Sequence, residues 1–385
     1  MTSPSSSPSA ENGAGAAREH VLVTGFPSFT ARRMIAKVVA ADSRARCMVL
    51  ARDKFAADAE TFLGTLPEDH SARVEVIVGD VCDMDLGLAG SEYRDLAARI
   101  TTIHHLAGIY YMGVDRATAR QVNVAGTRGV LELASEATRL RRLCHYSTAQ
   151  VSGKRKGVIL EEDLDENQSF HNVYEETKLE AEKLTRDAMR QLPITVFRPG
   201  VIVGDSRTGE IDKFDGPYYL MVLIATNDWN VRLPLPGRGT APMHLVPIDY
   251  MIDAAYALSM DERAAGKTLH LTDPNPFSAR QVCELVAERA QVKAPRGYIP
   301  GSLARTLLRA PGVEKLARAP VAFLESFDHQ VLYNSRTALS LLEGTGLSCP
   351  PFDSYVENLV RYVQEVRTAR RARPESEEST DPLDA

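Results

Sequence analysis

Short apolar runs, each closed by a glycine or polar turn and followed by a helically spaced segment, recur through the first half of this 385-residue chain. His20-Val21-Leu22-Val23, Cys47-Met48-Val49-Leu50, Val74-Glu75-Val76-Ile77-Val78 and Ile103-His104-His105-Leu106-Ala107-Gly108 read as four buried strands. Leu143-Cys144-His145-Tyr146 and Ile194-Thr195-Val196-Phe197 read as a fifth and sixth. This alternation predicts an α/β protein: a Rossmann-type, doubly wound parallel sheet with helices on both faces. After Gly204 the alternation becomes irregular, which predicts a smaller C-terminal substrate-binding lobe. Ligands of such sheets sit at the carboxyl ends of the strands, where Gly25, Arg52, Asp80 and Ala107-Gly108 all fall. His104 and His105 are adjacent on a strand and so point to opposite faces, which reads as structural rather than metal-binding.

The first strand runs into Thr24-Gly25-Phe26-Pro27-Ser28-Phe29-Thr30-Ala31, followed by Met34, Ile35, Val38 and Val39 at helical spacing. Strand, tight turn, helix is the opening of a dinucleotide-binding unit. Gly25 is in place, but Ser28 and Ala31 stand where the second and third glycines are expected, which predicts weaker, though not abolished, cofactor binding. At the end of the second strand the position that carries a ribose-binding carboxylate in NAD-specific proteins is held by Ala51. Arg52 follows, and a guanidinium grips a phosphate through paired hydrogen bonds. NADP(H) is therefore expected in preference to NAD(H), with Arg32 and Arg33 adding positive charge nearby. Asp53 is the competing ribose partner, with Lys54 beside it.

Tyr174 and Lys178 lie four residues apart, on one face of a predicted helix. An ammonium near a phenol favours the phenolate and is expected to lower the Tyr174 pKa towards neutrality. As a spacing alone the pair is common on surface helices. Upstream, the fifth strand ends in Ser147-Thr148-Ala149, whose hydroxyls would emerge at the same sheet edge.

Taken with Thr24-Gly25, Gly79-Asp80, Asn123-Val124-Ala125-Gly126-Thr127, Ser147-Thr148-Ala149-x-Val151-x-Gly153 and Arg198-Pro199-Gly200, the Tyr174-x-x-x-Lys178 motif resembles the extended short-chain dehydrogenase/reductases, in family order over residues 19–205. Gly79-Asp80-Val81 with Leu86-Gly87-Leu88, and Gly204-Asp205-Ser206-Arg207-Thr208-Gly209 with Asp215-Gly216, are similar to the thioester and fatty-acyl reductase branch, including a subgroup of mupirocin-type polyketide tailoring. The resemblance implies an NADP-dependent oxidoreductase that reduces a carbonyl (an acyl thioester, an aldehyde or a polyketide-like ketone). In it Tyr174 is the proton donor, Lys178 holds the nicotinamide ribose, Thr148 holds the carbonyl oxygen and Asn123 supports a proton relay. It implies a cofactor site of Gly25, Phe26, Ser28, Phe29, Arg52, Asp80, Val81, Leu106, Ala107, Gly108, Ser147, Tyr174, Lys178, Pro199 and Val201. The alternatives are a sugar-nucleotide epimerase or dehydratase with bound NAD, and a catalytically idle NADP-binding scaffold, which the Ser28 and Ala31 departures would permit.

Net charge is 45 − 51 = −6, which argues against a nucleic-acid partner. The expected partners are a small-molecule or carrier-bound acyl substrate, with a homodimer as a further option. Arg207 and Lys213, in a loop from Gly204 to Tyr219 that should border the nicotinamide end, are candidates to meet an anionic carrier arm. Five scattered cysteines without a C-x-x-C fit a reducing cytoplasm and no metal site. The longest apolar run, Tyr218 to Ala225, is too short to span a bilayer, and no signal-peptide pattern is visible. The expected organisation is a disordered tail over 1–18, a Rossmann domain over 19–205, a lobe over 206–345 partly returning to the sheet, a C-terminal helix over 346–367 and a disordered tail over 368–385. Within the lobe, residues 302–327 read as a basic amphipathic helix, packed on the lobe or touching membrane or acyl chains. Tyr355, Val356, Leu359, Val363 and Val366 form an apolar stripe expected to pack in the core.

Overall fold

The computed structural model describes residues 19–110, 114–225, 232, 234–299, 327 and 329–371. The expected terminal tail over 1–18, most of the 302–327 segment and residues 372–385 lie outside the described residues.

The strands are β1 (His20–Thr24), β2 (Arg46–Ala51), β3 (Val74–Val78), β4 (Thr102–His105), β5 (Arg142–Tyr146), β6 (Gly157–Ile159), β7 (Ile194–Pro199), β8 (Val201–Val203), β9 (Leu235–Pro236), β10 (Leu245–Pro247), β11 (Lys267–Leu271), β12 (Tyr298–Ile299) and β13 (Val331–Tyr333). Seven of them form one parallel sheet in the order β3-β2-β1-β4-β5-β7-β11. The sequence-order reversal falls between β1 and β4, the crevice where doubly wound sheets bind dinucleotides. Short two-stranded pairs, β8 with β10, β9 with β12 and β6 with β13, lie outside it.

Alternation along β1 shows why the sheet has two cores. Val21 and Val23 face helices Phe29–Ala41 and Ile248–Met260, packing among Met34, Ile35, Val38, Met251 and Leu258. Leu22 faces the other side, with Met48, Ile103 and Leu143, beneath Leu96, Val130 and Leu133 of helices Gly90–Arg99 and Gly126–Glu136. A period of two sends successive residues to opposite layers, and apolar residues at both positions give a sheet buried on both faces.

A third apolar cluster belongs to the lobe. Tyr218, Met221 and Ile224 of helix Tyr218–Ala225 meet Val282 and Val286 of helix Ala279–Arg289 and the stripe Tyr355, Val356, Leu359, Val363. The lobe is not one continuous segment: β11 and helices Ile248–Met260 and Arg336–Leu342 pack on the Rossmann core. The last helix runs from Val356 to Arg371, past the boundary expected at 367; its buried stripe ends at Val363, and Val366 is only half-buried. The helical segment between β4 and β5 is divided into Arg116–Arg120, a π-turn over Gln121–Ala125, and Gly126–Glu136.

Candidate active site

The turn after β1 is built around Gly25. Its φ is +94°, and a Cβ there would stand 2.7 Å from Ala107 N and from Leu106 C. The backbones of β1 and β4 approach so closely that only glycine fits. Thr24 Oγ1 closes the same junction, 2.9 Å from His105 Nδ1 and accepting from Ala107 N at 3.2 Å. Ser28, in the second glycine position, has φ −55° and caps helix Phe29–Ala41, its Oγ accepting from Ala31 N at 3.3 Å. The backbone there needs no glycine, and the hydroxyl adds a cap. Ala31, in the third position, is fully buried against the core, so a methyl is accommodated where close helix–sheet packing was the issue. The glycine cradle and the helix N-terminus above it fit a pyrophosphate.

The other residues expected to hold cofactor sort by what they touch. Phe26 turns into the core, its ring 5.8 Å from Phe62, and Phe29 carries the Arg33 guanidinium at 5.1 Å, so both are packing residues beside the turn. Asp80 accepts from Cys82 N at 3.0 Å, and Val81 is buried where a Cβ on Gly126 would meet its Cγ2 at 2.9 Å. Leu106, Ala107 and Gly108 continue from β4. Pro199 ends β7 and Val201 opens β8, the latter lining the cavity described below. Arg52 is exposed and stacks 4.9 Å over Phe55, with no ion-pair partner among the described residues. Arg32 and Arg33 do not join it: Arg32 pairs with Asp212 at 2.8 Å, and Arg33 with Asp205 at 2.9 Å and Glu210 at 3.3 Å. Both cations are paired with the acidic loop after β8.

Thr148, Tyr174 and Lys178 converge where β5 meets helix Val173–Ala188. Asn172 caps that helix, its side chain accepting from Glu175 N at 2.9 Å. Thr148 leaves β5 as the cap of a short 3-10 turn, its Oγ1 accepting from Gln150 N at 3.2 Å, and lies near enough to Tyr174 to act on its phenol. Burial pushes the Tyr174 phenol up to about 12, with the Thr148 bond pulling the other way. Lys178 lies one turn on, but it does not act as expected on the phenol. Its Nζ donates to the Tyr146 carbonyl at 2.6 Å, and burial lowers it to about 8. Desolvation dominates both groups, so the phenol is a loaded acid rather than a phenolate.

Asn123, in the π-turn, has both amide hydrogens committed: to Ile109 O at 3.1 Å and to Thr177 Oγ1 at 3.0 Å. Its Oδ1 accepts from Ile109 N at 2.8 Å. The amide clamps the segment after β4 to the Tyr174 helix. The Ser147 hydroxyl donates to Glu182 Oε2 at 2.6 Å. His104 and His105 are each bonded on their own face, to Tyr146 Oη at 2.9 Å and to Thr24 and Thr127, and burial lowers both to about 3.

Beneath this site runs a polar network that reading the sequence missed. Glu182, fully buried, takes three hydrogen bonds from Arg198, the shortest 2.8 Å, and one from Arg186 at 3.0 Å. Burial alone would raise its carboxyl, yet the Arg198 charge and hydrogen bonds hold it below the usual carboxylate range. Glu161, in what reads as a solvated acidic loop, is also buried and accepts from the backbone N–H of His270, Thr337 and Ala338. Only the Arg198 motif signalled any of this.

A cavity of about 170 Å³ opens beside Tyr174, lined by Tyr110, His171, Glu175, Val201, Gly216, Pro217, His244, His329 and Tyr333 among others. The loop after Gly204 thus reaches the cavity through Gly216 and Pro217. Its cations do not: Arg207 stands 4.0 Å from Asp249 and Lys213 acts electrostatically on Asp215. No group of three or more metal-ligating side chains occurs among the described residues, and no described helix is long and apolar enough to cross a membrane.

Comparison with known proteins agrees with the geometry. The terminal reductase domain of the myxalamid PKS-NRPS pathway superposes with a TM-score of 0.78 at 26% identity, covering 91% of this chain and 92% of that one. UDP-glucuronic acid 4-epimerase from Bacillus cereus shares the fold at 18% identity and a TM-score of 0.64, over 90% of this chain and 99% of that one. A linear gramicidin synthase polypeptide of Brevibacillus parabrevis is 26% identical over 75% of this chain, which spans only 6% of that protein. Fatty acyl-CoA reductase wat of Drosophila melanogaster is 26% identical over 63% of this chain and 54% of its own length. The family model described as "Male sterility protein", an NAD-binding domain, matches residues 23–255. The chain belongs to this male sterility protein family, NAD(P)-dependent reductases of the extended short-chain dehydrogenase/reductase type.

Proposed function

We propose that this protein uses NADPH to reduce an acyl thioester, carried on coenzyme A or a phosphopantetheine arm, to the aldehyde. The observation that carries the reading is Tyr174 at the wall of a cavity with Thr148 acting on its phenol, in a chain that matches a reductase domain over nearly its whole length. An idle scaffold has no use for such a pair. Likeness to the epimerase extends to the fold alone.

Bound along the β1–β4 crevice, the cofactor supplies a hydride. Thr148 positions the carbonyl oxygen and Tyr174 protonates it as hydride arrives. Burial keeps the phenol protonated until that moment. Lys178, anchored on the Tyr146 carbonyl, presents donors beside Gly108, where a ribose would lie. Arg52, at the end of β2 after an uncharged Ala51, supports preference for the 2′-phosphate of NADPH.

The test is NADPH oxidation against acyl-CoA and N-acetylcysteamine thioesters, free aldehydes and UDP-sugars. Thioester-dependent oxidation is expected. Tyr174→Phe should abolish it and leave NADPH affinity nearly unchanged, since only the phenolic proton is lost. Sugar-nucleotide conversion without net NADPH consumption, or full turnover by the Tyr174→Phe protein, would overturn the reading.

A further inference from the structure

The loop that leaves β8 at Gly204 forms part of the cavity wall beside Tyr174, through Gly216 and Pro217. It is held from two sides. On the lobe side, Asn358 Nδ2 donates to Ser206 O at 2.7 Å and Tyr362 Oη to Ile211 O at 3.2 Å. On the side of the nucleotide turn it is held by charge. Arg33 donates to Asp205 Oδ2 at 2.9 Å and to Glu210 Oε2 at 3.3 Å, and Arg32 donates to Asp212 Oδ1 at 2.8 Å. Asp212 stands four residues before Gly216. Both arginines belong to helix Phe29–Ala41, which follows the Gly25 turn, and their guanidiniums stand 5.8 and 5.1 Å over the Phe29 ring.

Two arginines beside a nucleotide turn read as phosphate ligands, but the local charge decides against it. They face Asp205, Glu210 and Asp212, a sum of 2 − 3 = −1. Adding Arg207 and its neighbour Asp249 leaves that sum unchanged. Such a cluster has no net attraction for a cofactor phosphate and repels one at close range. Nor is Arg33 easily released. Asp205 is buried at 4% exposure. Burial would raise its carboxyl, yet N–H bonds from Arg207 and Thr208 and the Arg33 charge hold it below the usual carboxylate range. Taking the guanidinium away strands a buried charge, which costs more than parting a solvated pair.

We propose that Arg33, assisted by Arg32, is a positioning residue for the acyl substrate rather than a cofactor ligand: it clasps the loop to the cofactor helix and so fixes one wall of the cavity in which the thioester is reduced. This rests on the thioester reading above. Apparent substrate affinity scales with the fraction of molecules whose loop is seated. Loosening the clasp therefore raises KM while Thr148 and Tyr174 keep their places.

The test uses the full-length protein and an N-acetylcysteamine thioester. Arg33→Gln should raise its KM about tenfold, with kcat changed by less than about threefold and the NADPH Kd, from calorimetry, by less than about twofold. Arg32→Asp and Asp212→Arg each bring like charges together and should raise KM about fivefold; the double variant rebuilds the ion pair in reverse and should return KM to within about twofold of wild type. An unchanged KM, a loss of NADPH affinity as large as the rise in KM, or a double variant as impaired as the single ones overturns the proposal. A second readout needs no turnover. Trypsin cleaves after Arg207 and Lys213, both exposed on the loop. In Arg33→Gln, cleavage at these two bonds should accelerate about tenfold while cleavage elsewhere keeps its rate. Equal rates at the two bonds in variant and wild type overturn the clasp. A wild-type protein that reduces no thioester overturns the thioester reading instead, and the cleavage rates then decide the clasp.

Discussion

Lys178 offers a measurement of how far burial, rather than a salt bridge, governs this site. Its ammonium is buried and its pKa falls from 10.5 to about 8, desolvation outweighing the favourable charge of Glu182. In the unfolded chain it titrates near its ordinary value, so between about pH 8 and about pH 10.5 the unfolded state holds a proton the folded state has released. The contribution of Lys178 to stability must therefore rise with pH across that window. Below it both states are protonated and the full burial penalty is felt; above it neither is, and the penalty is gone. Across that window, at about 1.36 kcal/mol per pH unit, the change is about 3 kcal/mol. Lys178→Met removes the titration. It also leaves the Tyr146 carbonyl without its donor, but that loss is the same at every pH and drops out of the slope. Urea unfolding followed by circular dichroism from pH 7 to about pH 11 should show wild type gaining about 3 kcal/mol on the variant. Parallel stability curves for the two proteins would refute the argument, and would mean that Lys178 keeps an ordinary pKa by some charge interaction the geometry does not contain.

Three further outcomes follow from the same geometry. Arg52→Ala should weaken NADPH about ten- to a hundredfold and leave NADH almost unchanged, the loss of one charge-assisted phosphate contact; calorimetric titration of both cofactors checks it, and tighter NADH than NADPH binding by wild type would contradict the assignment. Gly25→Ala drives a methyl into the Leu106–Ala107 backbone at 2.7 Å, so dinucleotide affinity should be lost even in variant protein that still unfolds cooperatively. Arg198→Met takes the main charge partner from the buried Glu182 carboxylate, leaving it Arg186 and Ser147, and should cost about 3 kcal/mol or more, while Arg198→Met combined with Glu182→Met should recover part of it; chemical denaturation of the single and double variants separates the two effects.

The sheet was legible because its strands are buried on both faces, which leaves uninterrupted apolar runs such as Cys47 to Leu50 that no surface element would carry. Gly25 was legible for a steric reason, and Ser28 and Ala31 were harder, since whether a missing glycine matters depends on φ and on helix–sheet distance. What the motifs did not convey was partner choice. Arg32 and Arg33 look available beside a phosphate site until a loop some 180 residues away supplies Asp205, Glu210 and Asp212. Glu161 and Glu182 look like ordinary surface carboxylates, because their compensation comes from backbone N–H groups and an arginine remote in sequence. The tuning of Tyr174 was misread for the same reason: spacing puts Lys178 near it, but burial fixes the sign.

Seen as a layout, the sheet constrains how relatives of this chain can diversify. The last sheet strand, β11, and the helices Ile248–Met260 and Arg336–Leu342 come from residues well beyond the cofactor turn. The lobe therefore enters as two cassettes, one leaving the scaffold after β7 and rejoining it at Ile248, the other leaving after β11 and rejoining near Arg336. Glu161 stitches the second junction shut by holding His270 on one side of it and Thr337 and Ala338 on the other. Cutting the chain at residue 205 to obtain a minimal nucleotide-binding module would strip one edge of the sheet and two of its covering helices. Exchanging either cassette between the same anchor points would instead reshape the cavity beside Tyr174 while the Gly25 turn and the Tyr174 helix stay as they are.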